Sequence, residues 1–551
     1  MSFSKSALTL SITTILASTT STLLWADEEI PSSQSINKLE SITITAHPLD
    51  QTDADFGVAD QNISREKLQE SGTTLGEALK NELGIHSNSF GSGSSRPVIR
   101  GQEGARVKVT QNATETMDVS SLSPDHAVTI DPQLAQKIEV IRGPSTLLYG
   151  AGSVGGLVNV TDTKIPTQMP ENGYEGNVGL RYNSGNDEKM THAGTTVGLG
   201  SNVALRVEGL KRDANNYIAP NYFHDHDGEL EKEKRVGNTF SESENVNVGL
   251  SWIGERGFAG VSYSNRQDKY GLPGHSHEYE SCHPHGDHLH CGGDDHSGHD
   301  HSGHDHDEDH AHENGPWIDM KTERYDFRSE LNEPFAGFKK LRAQASYTDY
   351  QHDEIEGSEA MTTFKSKGYE GRIELVHNPL AKWEGVWGIQ ASQQKLDVTG
   401  EEATLAPNET QKYSLFGVEH RQFGDFHVEL GTRLDHQKVD VDSEQKDFDG
   451  NAFSYSGAVN WDFKPNYKLS LVGSHQERLP LAQELYAHGG HFATNTYELG
   501  NDGLDNEKSN NVELGLHYDD DKLSYHVHLY HNWFDNYIYA KTLDQYENFR
   551  L

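Results

Sequence analysis

From about residue 172 onward the chain alternates apolar and polar residues in one long segment after another. Val203, Leu205 and Val207 interleave with Ala204, Arg206 and Glu208. Val512, Leu514, Leu516 and Tyr518 interleave with Glu513 and His517, and Leu523, Tyr525, Val527 and Leu529 with Ser524, His526, His528 and Tyr530. A period of two is the signature of a strand with one apolar and one wet face. Soluble sandwiches alternate too, but seldom run strands beyond about ten residues between turns as short as Glu255-Arg256-Gly257 or Gly424-Asp425. A membrane barrel fits better, because lipid takes the apolar side and a polar lumen takes the charges. Roughly fifteen such segments lie between Tyr174 and Tyr539. An odd number does not close a single-chain bacterial barrel, and Tyr546 to Leu551 do not alternate towards a final aromatic. The expectation over 172–551 is therefore an incomplete barrel.

Only 33% of the residues are hydrophobic, and no stretch beyond the amino terminus approaches the roughly 18 apolar residues of a spanning helix. Lys5, the apolar run Ala7 to Ala17 and the small residues leading to Leu24-Trp25-Ala26 read as an export signal over 1–26. With 46 Lys plus Arg against 85 Asp plus Glu, the net charge of -39 argues against nucleic acid as a partner. The two cysteines, Cys282 and Cys291, lie in one short segment, where an exported chain favours a local disulfide over two thiolate ligands.

Residues 27 to 165 have a different texture. Thr73 to Lys80 reads as a short helix, Pro97 to Arg100 and Val107 to Val109 as short strands, and the whole as a small mixed α/β domain. Gly150-Ala151-Gly152-Ser153-Val154-Gly155 fits a dinucleotide fingerprint, but Leu157 to Val160 continues as a strand where that fingerprint needs a helix. Glycine here serves tight turns and close backbone approach.

Three segments carry a family resemblance. Ile42-Thr43-Ile44-Thr45-Ala46 resembles a TonB box. Arg96-Pro97-Val98-Ile99-Arg100-Gly101 is similar to the first plug signature. Ile138 to Pro144, with Leu148-Tyr149-Gly150 and Gly155 to Val160, is similar to the second. Together they resemble TonB-dependent outer-membrane receptors. The resemblance implies a periplasmic segment over 27–47 and a plug over 48–165, seated in a barrel of about 22 strands. It also implies monomeric residence in the lipid of a Gram-negative outer membrane, and the energy-coupling protein TonB as partner.

Cargo is read from histidine. Thirteen of the 31 histidines fall between His275 and His312, among them His283, His285, His288, His290, His299, His301, His304 and His306. Aspartates interleave with them and large apolar side chains are nearly absent, so 272–316 is expected to be a solvated extracellular excursion. Imidazole beside carboxylate suits zinc, copper, nickel and iron, and overlapping ligand sets favour capture with fast exchange. A preorganised site is then needed to commit the ion. Adjacent Asp125 and His126 in Ser121 to Ala127 can both face an ion only from a loop, as Pro124 suggests.

The pair and the histidine-rich loop resemble the zinc receptors of the ZnuD type, which implies that a wall glutamate and a wall histidine complete the site. The candidates are His488 or His491 for the histidine, and Glu354 or Glu356, in the cluster His352-Asp353-Glu354 and Glu356, for the glutamate. His224, Asp225 and His226 form a lesser pair; His86 and His436 read as ordinary polar side chains. No nucleotide-binding or hydrolase motif accompanies them, so the chain is not expected to be an enzyme. The expected function is active zinc uptake, zinc being cargo; a haem or siderophore receptor and a surface metal buffer are the competing readings.

Overall fold

The computed structural model describes residues 61–150, 152–226, 229–273, 282–285, 288–291, 315–400, 403–491, 496–520 and 522–541. All belong to the unit Thr45–Leu551. The export signal and Ile42 to Ala46 lie outside the described residues.

The first domain is built on β1 (Gln61–Ser64), β2 (Ile85–Phe90), β3 (Ser94–Ile99), β4 (Val107–Gln111), β5 (Thr114–Glu115), β6 (Ala135–Ile141) and β7 (Gly156–Asp162). Five of these form a mixed sheet in the order β1-β6-β7-β4-β5, with β4 and β7 parallel. The expected helix is present as Leu75–Leu79. Its Leu75 and Leu79 bury with Leu68 against Ile138, Val140 and Val158. Gly156 opens a strand, not a helix, so the dinucleotide fingerprint lacks its structural context.

The barrel domain follows. Its sheet uses β8 (Tyr174–Asn183), β9 (Glu188–Gly198) and β10 (Val203–Ala214). A separate hairpin, β11 (Ile218–His226) with β12 (Glu229–Arg235), precedes β13 (Ser241–Gly254) and β14 (Gly257–Gly271). A second hairpin, β15 (Cys282–His285) with β16 (His288–Cys291), precedes β17 (Trp317–Asn332), β18 (Phe338–Glu356), β19 (Glu359–His377) and β20 (Glu384–Gly400). Next come β21 (Asn408–Phe423), β22 (Phe426–Val441), β23 (Phe448–Lys464) and β24 (Tyr467–Arg478). A third hairpin, β25 (His488–His491) with β26 (Thr496–Leu499), leads to β27 (Glu507–Asp519) and β28 (Ser524–Asp535). Excluding the hairpins, fifteen antiparallel strands form one sheet from β8 to β28, the number the alternation predicts.

Period two decides the faces of each strand. On β10, Ala204, Arg206 and Glu208 are buried while Val207 is exposed; on β23, Phe453 and Tyr455 face outward and Ser454 and Ser456 inward. An apolar outer surface over a charged interior is the arrangement hydrocarbon selects. Among the described residues no helix is long and apolar enough to cross a membrane.

The first domain fills the interior, and the junction is largely polar. Lys164 Nζ reaches Asp326 on β17 at 3.2 Å and Ser264 Oγ on β14 at 3.1 Å. Arg100 binds both oxygens of Glu513 on β27, at 2.6 and 2.8 Å. Ser145 donates to Glu429 on β22 at 2.9 Å. Buried charges are tolerated where each finds a partner, and here the partners come from opposite sides of the plug–wall boundary. Connections at one end of the barrel are short, as at 255–256, 424–425 and 520–523, and at the other long, as at 272–316 and 479–506.

Candidate metal centre

Ser123-Pro124-Asp125-His126 turns on itself: the His126 amide donates to the Ser123 carbonyl at 3.3 Å, with proline at the second position that such turns favour. The turn is pinned to the barrel by Tyr270 of β14. Its hydroxyl accepts from the Ala127 amide and donates to the Asp125 carbonyl, both at 3.0 Å. The Ser123 hydroxyl donates to Asp125 Oδ1. Backbone and serine thus spend themselves holding the loop, and the two adjacent side chains face one point.

The wall meets them with the long-loop end of β18. Two residues apart, His352 and Glu354 share the inward face, and Asp353 points the other way, to Gln351 and Thr363. His126 Nε2 lies 3.4 Å from Glu354 Oε1 and 3.8 Å from Asp125 Oδ2. His352 Nε2 lies 3.6 Å from the same Glu354 oxygen. His491 of β25 brings Nε2 to 4.0 Å from Asp125 Oδ1. All five side chains are buried: Asp125 0%, His126 1%, His352 0%, Glu354 4% and His491 6% exposed. Phe364 of β19 stacks on His352 at 4.5 Å and meets the edge of His126 at 4.8 Å, walling the group off on one side.

Among the described residues, three atoms in this group find no hydrogen-bond partner: Asp125 Oδ2, Glu354 Oε2 and His352 Nε2. Unpaired buried polar atoms are costly unless something else binds them. The donor atoms of His126, His352 and Glu354 lie within 4.8 Å of one another, and the two shortest separations match the roughly 3.4 Å edge of a tetrahedron around zinc. The ring nitrogens opposite are occupied: His352 Nδ1 sits 2.8 Å from the Tyr350 hydroxyl and His126 Nδ1 3.3 Å from the Val119 carbonyl. Such outer contacts fix the tautomer that leaves Nε2 to a metal. Burial disfavours a protonated His126, yet Asp125 and then Glu354 outweigh it and push its pKa up to about 9. The cluster attracts positive charge, and a proton is the smallest carrier of it.

Of the residues singled out by sequence, Asp125, His126, Glu354 and His491 come together here. His488, at the other end of the same short strand, is exposed, and its amide is used by the Thr404 carbonyl at 2.7 Å. Glu356 lies past a register irregularity between Glu354 and Ile355, outside the group. His352 was visible only as part of an acidic cluster; its spacing of two from Glu354 is the signal that it shares the face. Tyr270, Tyr350 and Phe364 carry no sequence signal of their own. Backbone register pairs Cys282 with Cys291, His283 with His290 and His285 with His288. His299, His301, His304 and His306 lie outside the described residues. Backbone pairing sets His224 opposite Glu231 and His226 opposite Glu229 in the hairpin β11–β12. His86 and His436 stand apart from the group; His436 binds Asn451 at 3.1 Å.

The fold and its family agree. Residues 52–157 match the TonB-dependent receptor plug domain, and residues 291–550 the TonB-dependent receptor-like β-barrel. The chain belongs to the TonB-dependent receptor family, whose members are transport receptors and not enzymes, and whose barrels reside in the outer membranes of Gram-negative bacteria. It is 31% identical over 165 residues to the ferrioxamine B receptor of Salmonella typhimurium, a match covering 29% of this chain and 22% of that one. It is 26% identical over 181 residues to the vitamin B12 transporter BtuB of Vibrio vulnificus, covering 32% and 28%. These matches thus span less than a third of either relative. Among solved structures, the copper transporter OprC superposes with a TM-score of 0.65 at 17% identity, over 84% of this chain and 68% of that one. The Serratia marcescens hemophore receptor HasR, solved with its hemophore HasA and heme, gives 0.67 at 14% identity, over 88% and 74%.

Proposed function

We propose that this chain is an outer-membrane receptor that takes up zinc ion, gathered by the histidine-rich segment 272–316 and committed at the Asp125–His126–His352–Glu354–His491 cluster. The observation that carries the reading is the division of that cluster. Asp125 and His126 belong to the plug; His352, Glu354 and His491 belong to the barrel and its long connection. Holding the plug in place assembles the donor set, and displacing it by even a few ångströms separates the two halves. Energy delivered to the amino-terminal side of the plug, where Ile42 to Ala46 resemble the segment TonB grasps, therefore becomes a means of emptying a buried site. Imidazole with carboxylate suits a borderline divalent ion. The cluster is buried and bears two carboxylates, which gives a porphyrin or a bulky chelate no face to dock on.

Zinc titration of the detergent-solubilised chain tests the site. Asp125→Ala combined with His126→Ala removes the tightest class of binding and leaves the weak, multiple class of the loop. Retained tight binding refutes the assignment. Copper, nickel and haem belong in the same experiment as competitors, since copper(II) outranks zinc at most nitrogen–oxygen sites and haem displaces zinc only if the cargo is misassigned. Deleting Ile42 to Ala46 separates transport from buffering: cellular zinc accumulation stops while binding to the purified receptor persists.

A further inference from the structure

At the short-turn end of the barrel, β27 and β28 place three imidazoles on one inward face. His517 and His526 are directly opposite in the register, and His528 faces Gly515, one diagonal away. The rings of His517 and His526 are 4.6 Å apart, and those of His517 and His528 are 4.8 Å apart and nearly perpendicular. Glycine at 515 makes this possible. A Cβ there would meet the Ser470 hydroxyl oxygen and would lie 3.0 Å from His517 Nε2 and 3.1 Å from His528 Cε1, so both rings and that hydroxyl converge over the same glycine.

The nitrogens are arranged as donors to something not yet counted. His528 Nδ1 is 2.8 Å from Glu513 Oε1, which fixes the tautomer with its proton on Nδ1 and its lone pair on Nε2. That Nε2, and Nε2 of His517, are buried and find no hydrogen-bond partner among the described residues. His526 Nε2 lies 3.1 and 3.2 Å from the two oxygens of Asp519, a carboxylate at the open edge of the group. Carboxylate–imidazole pairs that leave the far nitrogen free are the usual outer support of a bound transition metal. Mere packing of three histidines would not require two orphaned lone pairs over one glycine.

We propose that His517 and His528, with His526 or Asp519 completing the set, form a second transition-metal site on the barrel wall at the short-turn, periplasmic end. The site takes a borderline divalent cation. Two features suit it to passage more than to retention. Lys468 of β24 lies opposite His517 in the register, and a cation beside the group weakens its hold on another. Glu513, which orients His528, is the same carboxylate that receives both guanidinium nitrogens of the plug's Arg100. When the plug shifts, Arg100 releases or reorients Glu513, and with it the imidazole. The role as an exit site rests on the uptake reading above; the site itself does not.

Crystals of the full chain grown with zinc and measured on both sides of the zinc absorption edge test the two separately. The expected anomalous map shows one peak among Asp125, His126, His352 and Glu354 and another between His517 and His528. His517→Asn with His528→Asn removes only the second. A filled upper site with no density at His517 and His528 overturns the proposal, and needs no variant. A peak at the lower position alone supports it and refutes the zinc-uptake reading instead. Glu513→Gln raises the zinc needed to fill the lower site by about 10- to 100-fold, the usual effect of removing an outer carboxylate. Unchanged occupancy in that variant refutes the link to the plug.

Discussion

Replacing Glu354 by glutamine has two opposed effects on zinc binding, and their balance depends on pH. The substitution preserves shape but removes one anionic donor from a buried cluster, a loss of about 3–5 kcal/mol by analogy with stripping one partner from a buried pair. Alone, that is a weakening of roughly two to three and a half orders of magnitude. Glu354 also helps hold a proton on His126, whose pKa stands at about 9 instead of 6.5. At neutral pH most His126 then carries a proton, which zinc has to displace before it binds. The variant loses part of that competition, with Asp125 retaining the rest. The sign follows: a raised imidazole pKa opposes metal below it and ceases to matter above it. Glu354→Gln is therefore expected to weaken zinc less at pH 7 than at about pH 10, where His126 is largely deprotonated in both proteins and the full loss of roughly two to three and a half orders of magnitude shows. Chelator-buffered zinc titrations, poised below the affinity of the loop imidazoles, measure the ratio. A ratio independent of pH, or one that shrinks as pH rises, refutes the coupling of His126 to Glu354 as the organising feature of the site.

Other perturbations test the surrounding structure. Tyr350→Phe removes the oxygen that holds His352 Nδ1 at 2.8 Å and is expected to weaken zinc about tenfold without moving the fold, measured in the same titration. Lys164→Met removes the ammonium 3.4 and 3.2 Å from Asp162 and Asp326, leaving Asp326 to Arg324 at 2.8 Å and Asp162 to Gln111 at 2.9 Å, and should destabilise the plug–wall junction by about 1–3 kcal/mol. Faster hydrogen exchange in β7 with unchanged exchange in β18 to β20 would show it. Gly152→Val places a Cβ 2.6 Å from Arg478 Cβ at a φ of +72°, and a β-branched residue there costs about 1–3 kcal/mol, read as a lower midpoint of thermal unfolding in detergent. An unchanged midpoint would mean that the plug loop relaxes away from β24.

The parts of this molecule that repeat were legible in the sequence, and the parts that converge were not. Alternation fixed strand number and inward faces because lipid and lumen impose the same demand on every strand, so Arg206, Glu208 and Glu513 declare their side by neighbours two residues away. Asp125 and His126 were legible because a proline turn is local. Choosing between His488 and His491 was not, since only the pairing of β25 with β26 and the tie to Thr404 decides which end of a four-residue strand turns to the plug. His352 was hidden for a related reason: period two puts it with Glu354, but which face meets Asp125 depends on the 228 residues that separate His126 from Glu354. His517, His526 and His528 read as one wet face of two strands, and nothing short of the register shows that two of the rings converge over Gly515. Both proposed metal sites thus sit where the chain brings together residues remote in sequence, and each includes an anchor from the plug: the Asp125–His126 turn at one end and Arg100, through Glu513, at the other. A single displacement of the plug would act on both, opening the upper site and loosening the lower in the same stroke. An ion leaving the first then finds the second in its weakest state, which favours onward release over return.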